Sequence, residues 1–342
     1  MTEDRKVKIL STLSLTDSQV ERIKAVDHRI ELHRYGRKDA TRIPVELWRE
    51  VEILLTSGMP LPPADQTPAL KWVQFSFAGV DKAFQQEVFL RGGIQLTSAS
   101  GTMVSQMGEY VIMALLMLGH KAPEMFRFQQ QKVWHEHRIE KLEPIELRGS
   151  TVGIVGYGSI GREVARLLYS YGAKVLATKR DVMHPEDDGY VPEGLGDPQG
   201  NYFHRLYPNE ALNVMLKECD FVVISPPLTA ETNHMISTEQ FAAMKPGAFL
   251  VNVSRGQVVD TNALIEAARS GRLGGAVLDV FEEEPLPTES PLWDLPNVVI
   301  TPHIAGVSKR NMDTLVDLFI TNLSRYLKGQ ELYNLIDPEQ GY

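Results

Sequence analysis

Apolar residues in this chain come in short runs separated by stretches with a longer, helical repeat. In the first hundred residues Lys8-Ile9-Leu10, Ile30-Glu31-Leu32, Val51-Glu52-Ile53-Leu54-Leu55, Leu70-Lys71-Trp72-Val73-Gln74-Phe75 and Ile94-Gln95-Leu96-Thr97 read as strands. Helices are expected between them over 16–26 and 44–49, and Pro60, Pro62, Pro63 and Pro68 mark a loop. Strand and helix in alternation predict a mostly parallel sheet. The stretch 103–118 reads as a helix that is apolar along most of its second half, so it should be buried between layers or against another subunit. The mixed polar stretch 120–147, with Trp134, His135 and His137, reads as a helix and surface loop.

A second α/β unit begins at Thr151. Thr151-Val152-Gly153-Ile154-Val155 is a short apolar strand, and over 159–171 Ile160, Val164, Leu167, Leu168 and Tyr171 share one helical face. Strands follow at Lys174-Val175-Leu176-Ala177-Thr178, Phe221-Val222-Val223-Ile224, Ala248-Phe249-Leu250-Val251-Asn252, Gly275-Ala276-Val277-Leu278 and Val298-Val299-Ile300-Thr301. A last helix over about 309–327 lies beyond this unit and is free to return to the first domain. The segment 181–208 is rich in Gly, Pro and Asp and has no period; it reads equally as a plain insertion or as a lid over the cofactor edge.

Composition narrows the class. A chain of 342 residues suits two domains, and 43% hydrophobic with 23% charged residues is ordinary for a globular protein. The net charge is -9 and no basic block stands out, so nucleic acid is not the expected partner. One cysteine, Cys219, excludes an intrachain disulfide and a Cys-rich zinc site, and no metal is expected. The acidic N-terminus is a poor signal peptide and the longest apolar run, 110–118, is too short to span a membrane, so the cytoplasm is the expected location.

Gly156-Tyr157-Gly158-Ser159-Ile160-Gly161 is a G-x-G-x-x-G that follows a strand and opens a helix. In that context the first glycine allows the tight turn, the second admits a pyrophosphate and the third packs helix on strand, while the helix N-terminus offers free N–H groups. Where a ribose-binding acid is expected, the chain has Thr178-Lys179-Arg180, two cations and a hydroxyl that suit a 2′-phosphate. NADP(H) is therefore favoured, with NAD(H) possible. Three further clusters each follow a strand: Val251-Asn252-Val253-Ser254-Arg255-Gly256 with Val258-Val259-Asp260, Leu278-Asp279-Val280-Phe281-Glu282-Glu283-Glu284-Pro285, and Thr301-Pro302-His303-Ile304-Ala305-Gly306. Singly, Arg255 reads as a surface cation, Glu284 as a solvated acid and His303 as a loop histidine. Together, at the carboxyl ends of parallel strands, they are placed to converge on one crevice.

These motifs, with Pro227-Leu228-Thr229 and Thr232 and with Ala78-Gly79-Val80-Asp81, resemble the D-isomer-specific 2-hydroxyacid dehydrogenases over nearly the whole chain. The resemblance implies two doubly wound parallel-sheet domains. A Rossmann dinucleotide-binding domain, 103–308, would be inserted into a flavodoxin-like substrate domain, 1–102 with 309–342. It also implies roles. Arg255 and the backbone near Ala78 and Gly79 would bind the 2-keto acid. His303, paired with Glu284, would be the general acid and base. Gly156, Gly158, Ser159, Ile160, Gly161, Thr178, Lys179, Arg180, Pro227, Thr232, Val253, Ser254, Asp279 and Gly306 would line the cofactor, with Asp279 at the nicotinamide carboxamide.

Ser225, where the family often has histidine, and the cations at 179 and 180 resemble NADP-using glyoxylate and hydroxypyruvate reductases. Glu284 argues against formate dehydrogenase, and the short tail against the longer phosphoglycerate dehydrogenases; phosphite oxidation stays open. The rival from another class is a dinucleotide-sensing corepressor. By analogy the chain is a homodimer through 107–118, with Trp134 reaching a neighbour's site. The pocket wall is expected from Thr56-Ser57-Gly58-Met59, Phe77 and the neighbourhood of Trp293, with Gly58 leaving space.

Overall fold

The computed structural model describes residues 5–58, 61–79 and 92–337. The chain forms two compact units, residues 1–103 with 308–342 and residues 104–307. In chain order the regular elements are β1 (Val7–Ser11), α1 (Asp17–Lys24), β2 (Ile30–Arg34), α2 (Val45–Glu50), β3 (Ile53–Thr56), β4 (Trp72–Phe75), β5 (Gln95–Thr97), α3 (Val104–Gly119), α4 (Ala122–Gln131), α5 (Arg138–Leu142), β6 (Thr151–Val155) and α6 (Ser159–Tyr171). There follow β7 (Lys174–Thr178), β8 (Arg205–Tyr207), α7 (Leu212–Leu216), β9 (Phe221–Ile224), α8 (Thr238–Ala243), β10 (Ala248–Asn252), α9 (Thr261–Arg269), β11 (Leu273–Leu278), β12 (Val298–Ile300) and α10 (Asn311–Leu327).

In the first unit five parallel strands take the order β2-β1-β3-β4-β5, the flavodoxin-like arrangement. The apolar runs are legible because helices cover both faces of such a sheet. Thr16 and Gln19 form a capping box that starts α1. The late helix α10 belongs to this unit. Its Leu315, Val316, Phe319 and Leu323 are buried in the same cluster as Ile9, Ile53 and Trp72, and Phe319 stacks on Trp72 with centroids 5.1 Å apart.

In the second unit seven parallel strands take the order β12-β11-β10-β9-β6-β7-β8. The chain leaves β6 in one direction through β7 and β8, then returns to β9 on the other side, so the switch point lies between β6 and β9. Ligands of open α/β sheets bind at that point. Helix α3 buries Met107, Val111, Ile112, Ala114, Leu115 and Leu118. Its apolar excess is thus taken up inside the chain. A group of exposed apolar side chains follows it on α4, α5 and the linker between them, with Phe126, Ile139 and Trp134, the last 84% exposed.

The segment 181–208 is stapled to α6. Buried Arg162 donates from Nη1 to Asp197 O at 2.6 Å and from Nη2 to Pro185 O at 2.6 Å and Glu186 O at 3.1 Å. Its Nε faces the Asp187 carboxylate at 3.3 Å. Tyr157 Oη donates to Asp197 Oδ2 at 2.6 Å, and the Gly196 N–H donates to Glu163 Oε2 at 2.6 Å. Asp197 also accepts the N–H groups of Asn201 and Tyr202. The segment ends in the edge strand β8, which had no apolar run to announce it.

Candidate active site

The glycine-rich turn joins β6 to α6 at the switch point. Gly156 has φ 91°, and a Cβ there would lie 2.8 Å from Pro226 N in the loop after β9. At Gly161 a Cβ would lie 2.4 Å from Gly156 O and 2.9 Å from Ile154 Cγ2, so helix and strand close tightly. At Gly158 a Cβ would meet no heavy atom within 4 Å. The turn is closed on its protein side and open at Gly158, beside the first N–H groups of α6 at Ser159 and Ile160. That cradle fits the diphosphate of a dinucleotide.

Around it the loops brace one another. Thr178, 1% exposed, accepts the Gly156 N–H at 3.1 Å, so its hydroxyl braces the turn. Ser225 Oγ donates to Gly156 O at 2.9 Å. Thr232 Oγ1 donates to Pro227 O at 2.7 Å and accepts the Thr229 N–H at 2.8 Å, which shapes the loop after β9. Lys179 Nζ donates to the carbonyls of His184 and Glu186. Partial burial, then the nearby Arg162 guanidinium, lowers its pKa. Arg180 lies beside it at the end of β7.

The loops after β10, β11 and β12 leave three adjacent strands side by side. In the first, Asn252 Oδ1 accepts the N–H and the hydroxyl of Ser254, while Val253 N–H donates to Ile224 O, so the backbone reaching Arg255 is held. Arg255 Nη1 donates to Ser254 O at 2.9 Å. Gly256 lies directly against the next loop: a Cβ there would fall 1.8 Å from Phe281 C. That loop carries Glu284, whose Oε1 accepts the Phe281 N–H at 3.0 Å and whose Oε2 lies 2.7 Å from His303 Nδ1. A carboxylate only accepts, so Nδ1 carries the hydrogen and Nε2 is the nitrogen offered to a bound molecule. The His303 side chain is 51% exposed. Asp279 is buried and accepts from Thr301 Oγ1, Ile304 N and Ala305 N, and Gly306 O accepts from Gln106.

In the first unit Ala78 and Gly79 follow β4 beside the end of β3; Val80, Asp81 and Met59 lie outside the described residues. Gly58 has φ 76°, and a Cβ there would lie 2.9 Å from Phe77 Cζ. The Phe77 ring takes the room that Gly58 was expected to leave to a substrate. Trp293, half-exposed, donates from Nε1 to Pro287 O at 2.9 Å. Sequence reasoning missed Tyr110, Arg162 and Asp197, and placed Thr301 in the His303 cluster without a role of its own. Tyr110 did carry a signal, a hydroxyl in the most apolar run of the chain, where it must find a partner.

Among the described residues no group of His, Cys, Asp and Glu could hold a metal, and no helix is long and apolar enough to cross a membrane. Residues 112–305 match the family model described as D-isomer specific 2-hydroxyacid dehydrogenase, NAD binding domain. A glyoxylate reductase of Thermococcus litoralis is 31% identical, over 98% of this chain and 98% of its own. A D-isomer specific 2-hydroxyacid dehydrogenase of Xanthobacter autotrophicus, solved with NADPH and MES, superposes with a TM-score of 0.80 at 28% identity, over 99% of this chain and 100% of that one. An NADPH-dependent glyoxylate/hydroxypyruvate reductase of Sinorhizobium meliloti, solved with NADP and sulfate, gives 0.75 at 27%, over 98% and 100%.

Proposed function

The chain belongs to the D-isomer-specific 2-hydroxyacid dehydrogenases, NAD(P)-dependent oxidoreductases, and we propose that it reduces a small 2-keto acid of the glyoxylate or hydroxypyruvate class with NADPH. The observation that carries the reading is the His303–Glu284 pair, 2.7 Å apart, beside the Arg255 loop. A reduced nicotinamide held at the glycine-rich turn would supply the hydride. Arg255 offers its planar fork to the oxygens of the keto acid. His303 would give the Nε2 proton to the carbonyl oxygen, which with a hydride at C2 makes a 2-hydroxy acid. Glu284, itself fixed by the Phe281 N–H, holds the tautomer and faces the charge on the ring. In the oxidation direction His303 is the base.

Gly156, Gly158, Ser159, Ile160 and Gly161 would hold the diphosphate, with Pro227, Thr232, Val253 and Ser254 shaping the floor beside it. Asp279 and Gly306 would border the nicotinamide, since a carboxylate with three partners keeps room for a fourth. Ala78 and Gly79 would bind the substrate carboxylate through backbone N–H groups. The preference for NADPH rests on Lys179 and Arg180 and on relatives solved with that cofactor. A homodimer is supported by the exposed apolar side chains around Trp134, and light scattering that shows a monomer at micromolar concentration would remove it.

The test is the initial rate of NADPH and NADH oxidation with glyoxylate, hydroxypyruvate, pyruvate and a branched 2-keto acid, in the wild type and in His303→Ala. The variant should lose most turnover and keep cofactor binding. Equal rates in the two proteins, or no turnover with any pair in a wild type that binds cofactor, would overturn the reading.

A further inference from the structure

His303 has φ 53°, in the left-handed region that costs a side-chain-bearing residue about 1–2 kcal/mol. Such a conformation persists only where its surroundings impose it. The N–H groups of the next two residues are pinned: Ile304 N donates to Asp279 Oδ1 at 2.9 Å and Ala305 N to Oδ2 at 2.8 Å. Thr301 Oγ1 donates to the same Oδ1 at 2.5 Å and lies 2.5 Å from Tyr110 Oη. Thr301 has one hydroxyl proton and spends it on the carboxylate, so Tyr110 must be the donor to Thr301. The bonds therefore run in one direction from α3 to Asp279. Burial pushes the Tyr110 phenol up to about 12, and it keeps the proton this order requires. One turn earlier on α3, Gln106 Nε2 donates to Gly306 O at 3.1 Å. Helix α3 thus grips the turn at residue 301 and again at residue 306.

We infer that Tyr110 is a positioning residue for His303, acting through Thr301 and Asp279 to hold the turn 301–306 where the imidazole meets Glu284. This rests on His303 being the proton carrier. Tyr110 acts through two other side chains, so its loss blurs the direction of the imidazole and leaves the Arg255 loop that binds the keto acid untouched. Misorientation of a proton donor appears in kcat.

The experiment compares Tyr110→Phe, Thr301→Val, Thr301→Ser and the Tyr110→Phe/Thr301→Val double variant with the wild type. The readouts are kcat, KM for NADPH and 2-keto acid, thermal unfolding, and the imidazole NMR spectrum. Tyr110→Phe should lower kcat about tenfold with the KM for the 2-keto acid within about twofold. Thr301→Val should lower kcat further, and Thr301→Ser, which keeps the hydroxyl, should recover most of it. The double variant should be no slower than Thr301→Val alone, because the two groups act in series. The His303 Nδ1 proton, far downfield in the wild type through its bond to Glu284, should move upfield and broaden in Tyr110→Phe. Wild-type kcat and an unmoved Nδ1 resonance in a folded Tyr110→Phe protein would overturn the inference, as would multiplicative losses in the double variant. The resonance reads the brace without turnover, so an inactive wild type would count against the role of His303 and not against the brace.

Discussion

Replacing Arg162 by methionine keeps an unbranched apolar stem and removes the guanidinium with its charge and all of its donors. The guanidinium is 3% exposed and makes three hydrogen bonds to carbonyls of the segment that follows β7, at 2.6, 2.6 and 3.1 Å. It also faces Asp187 and lies 4.8 Å over the Tyr157 ring. A hydrogen bond from a charged donor is worth about 1.5–3 kcal/mol, and the three are not additive because the segment can relax. The loss should be about 3–5 kcal/mol, as when one partner of a buried polar cluster is removed. For a unit of this size each kcal/mol moves the midpoint by about 2–4 °C, which predicts a fall of about 6–20 °C in calorimetry. Digestion with a glutamate-specific protease supplies a local readout, since Glu186 and Glu193 lie in the segment. Cleavage there should be faster by at least about tenfold. A variant that melts within about a degree of the wild type and is cut no faster would refute the view that Arg162 staples the segment.

Three other perturbations probe the site. Glu284→Gln should lower kcat at least about tenfold, because an amide can donate as well as accept and no longer fixes the hydrogen on His303 Nδ1; an unchanged kcat in a folded variant counts against the pair. In Arg255→Lys, kcat/KM for the keto acid should fall at least about tenfold, since an ammonium cannot present a planar fork. Neutralising Lys179 and Arg180 together should raise KM for NADPH far more than for NADH, and equal changes would show that these cations do not read the 2′-phosphate.

The sheets were legible because strands buried on both faces have little choice but to be apolar. Val152 to Val155, Phe221 to Ile224 and Ala248 to Asn252 could be placed almost to the residue. The glycine-rich turn and the loops bearing Arg255, Glu284 and His303 were legible for another reason: each follows such a strand, and parallel topology gathers those ends. Polar groups that serve each other across a gap in sequence were not. Arg162 reads as a surface charge on a helix, and only the fold reveals that Asp197, Pro185 and Glu186 come to meet it. Nor could the sequence show that the Thr178 hydroxyl accepts the Gly156 N–H and braces the turn. The apolar helix 107–118 left burial and self-association open, because both ask for the same side chains. Packing decided in favour of burial for most of them.

The place of α10 in the chain bears on how the protein is made. Trp72 meets Phe319 about 250 residues after it is synthesised, a wait of roughly 10–50 s at ribosomal rates. Only near the end of that interval, once β12 has been made, does the 104–307 unit have all of its strands and become able to fold, while the first sheet still waits with an uncovered apolar face. The nascent chain therefore emerges with its earliest segment as its last to mature, and a stop just before α10 should yield a folded nucleotide-binding unit tethered to an unfinished, chaperone-dependent one.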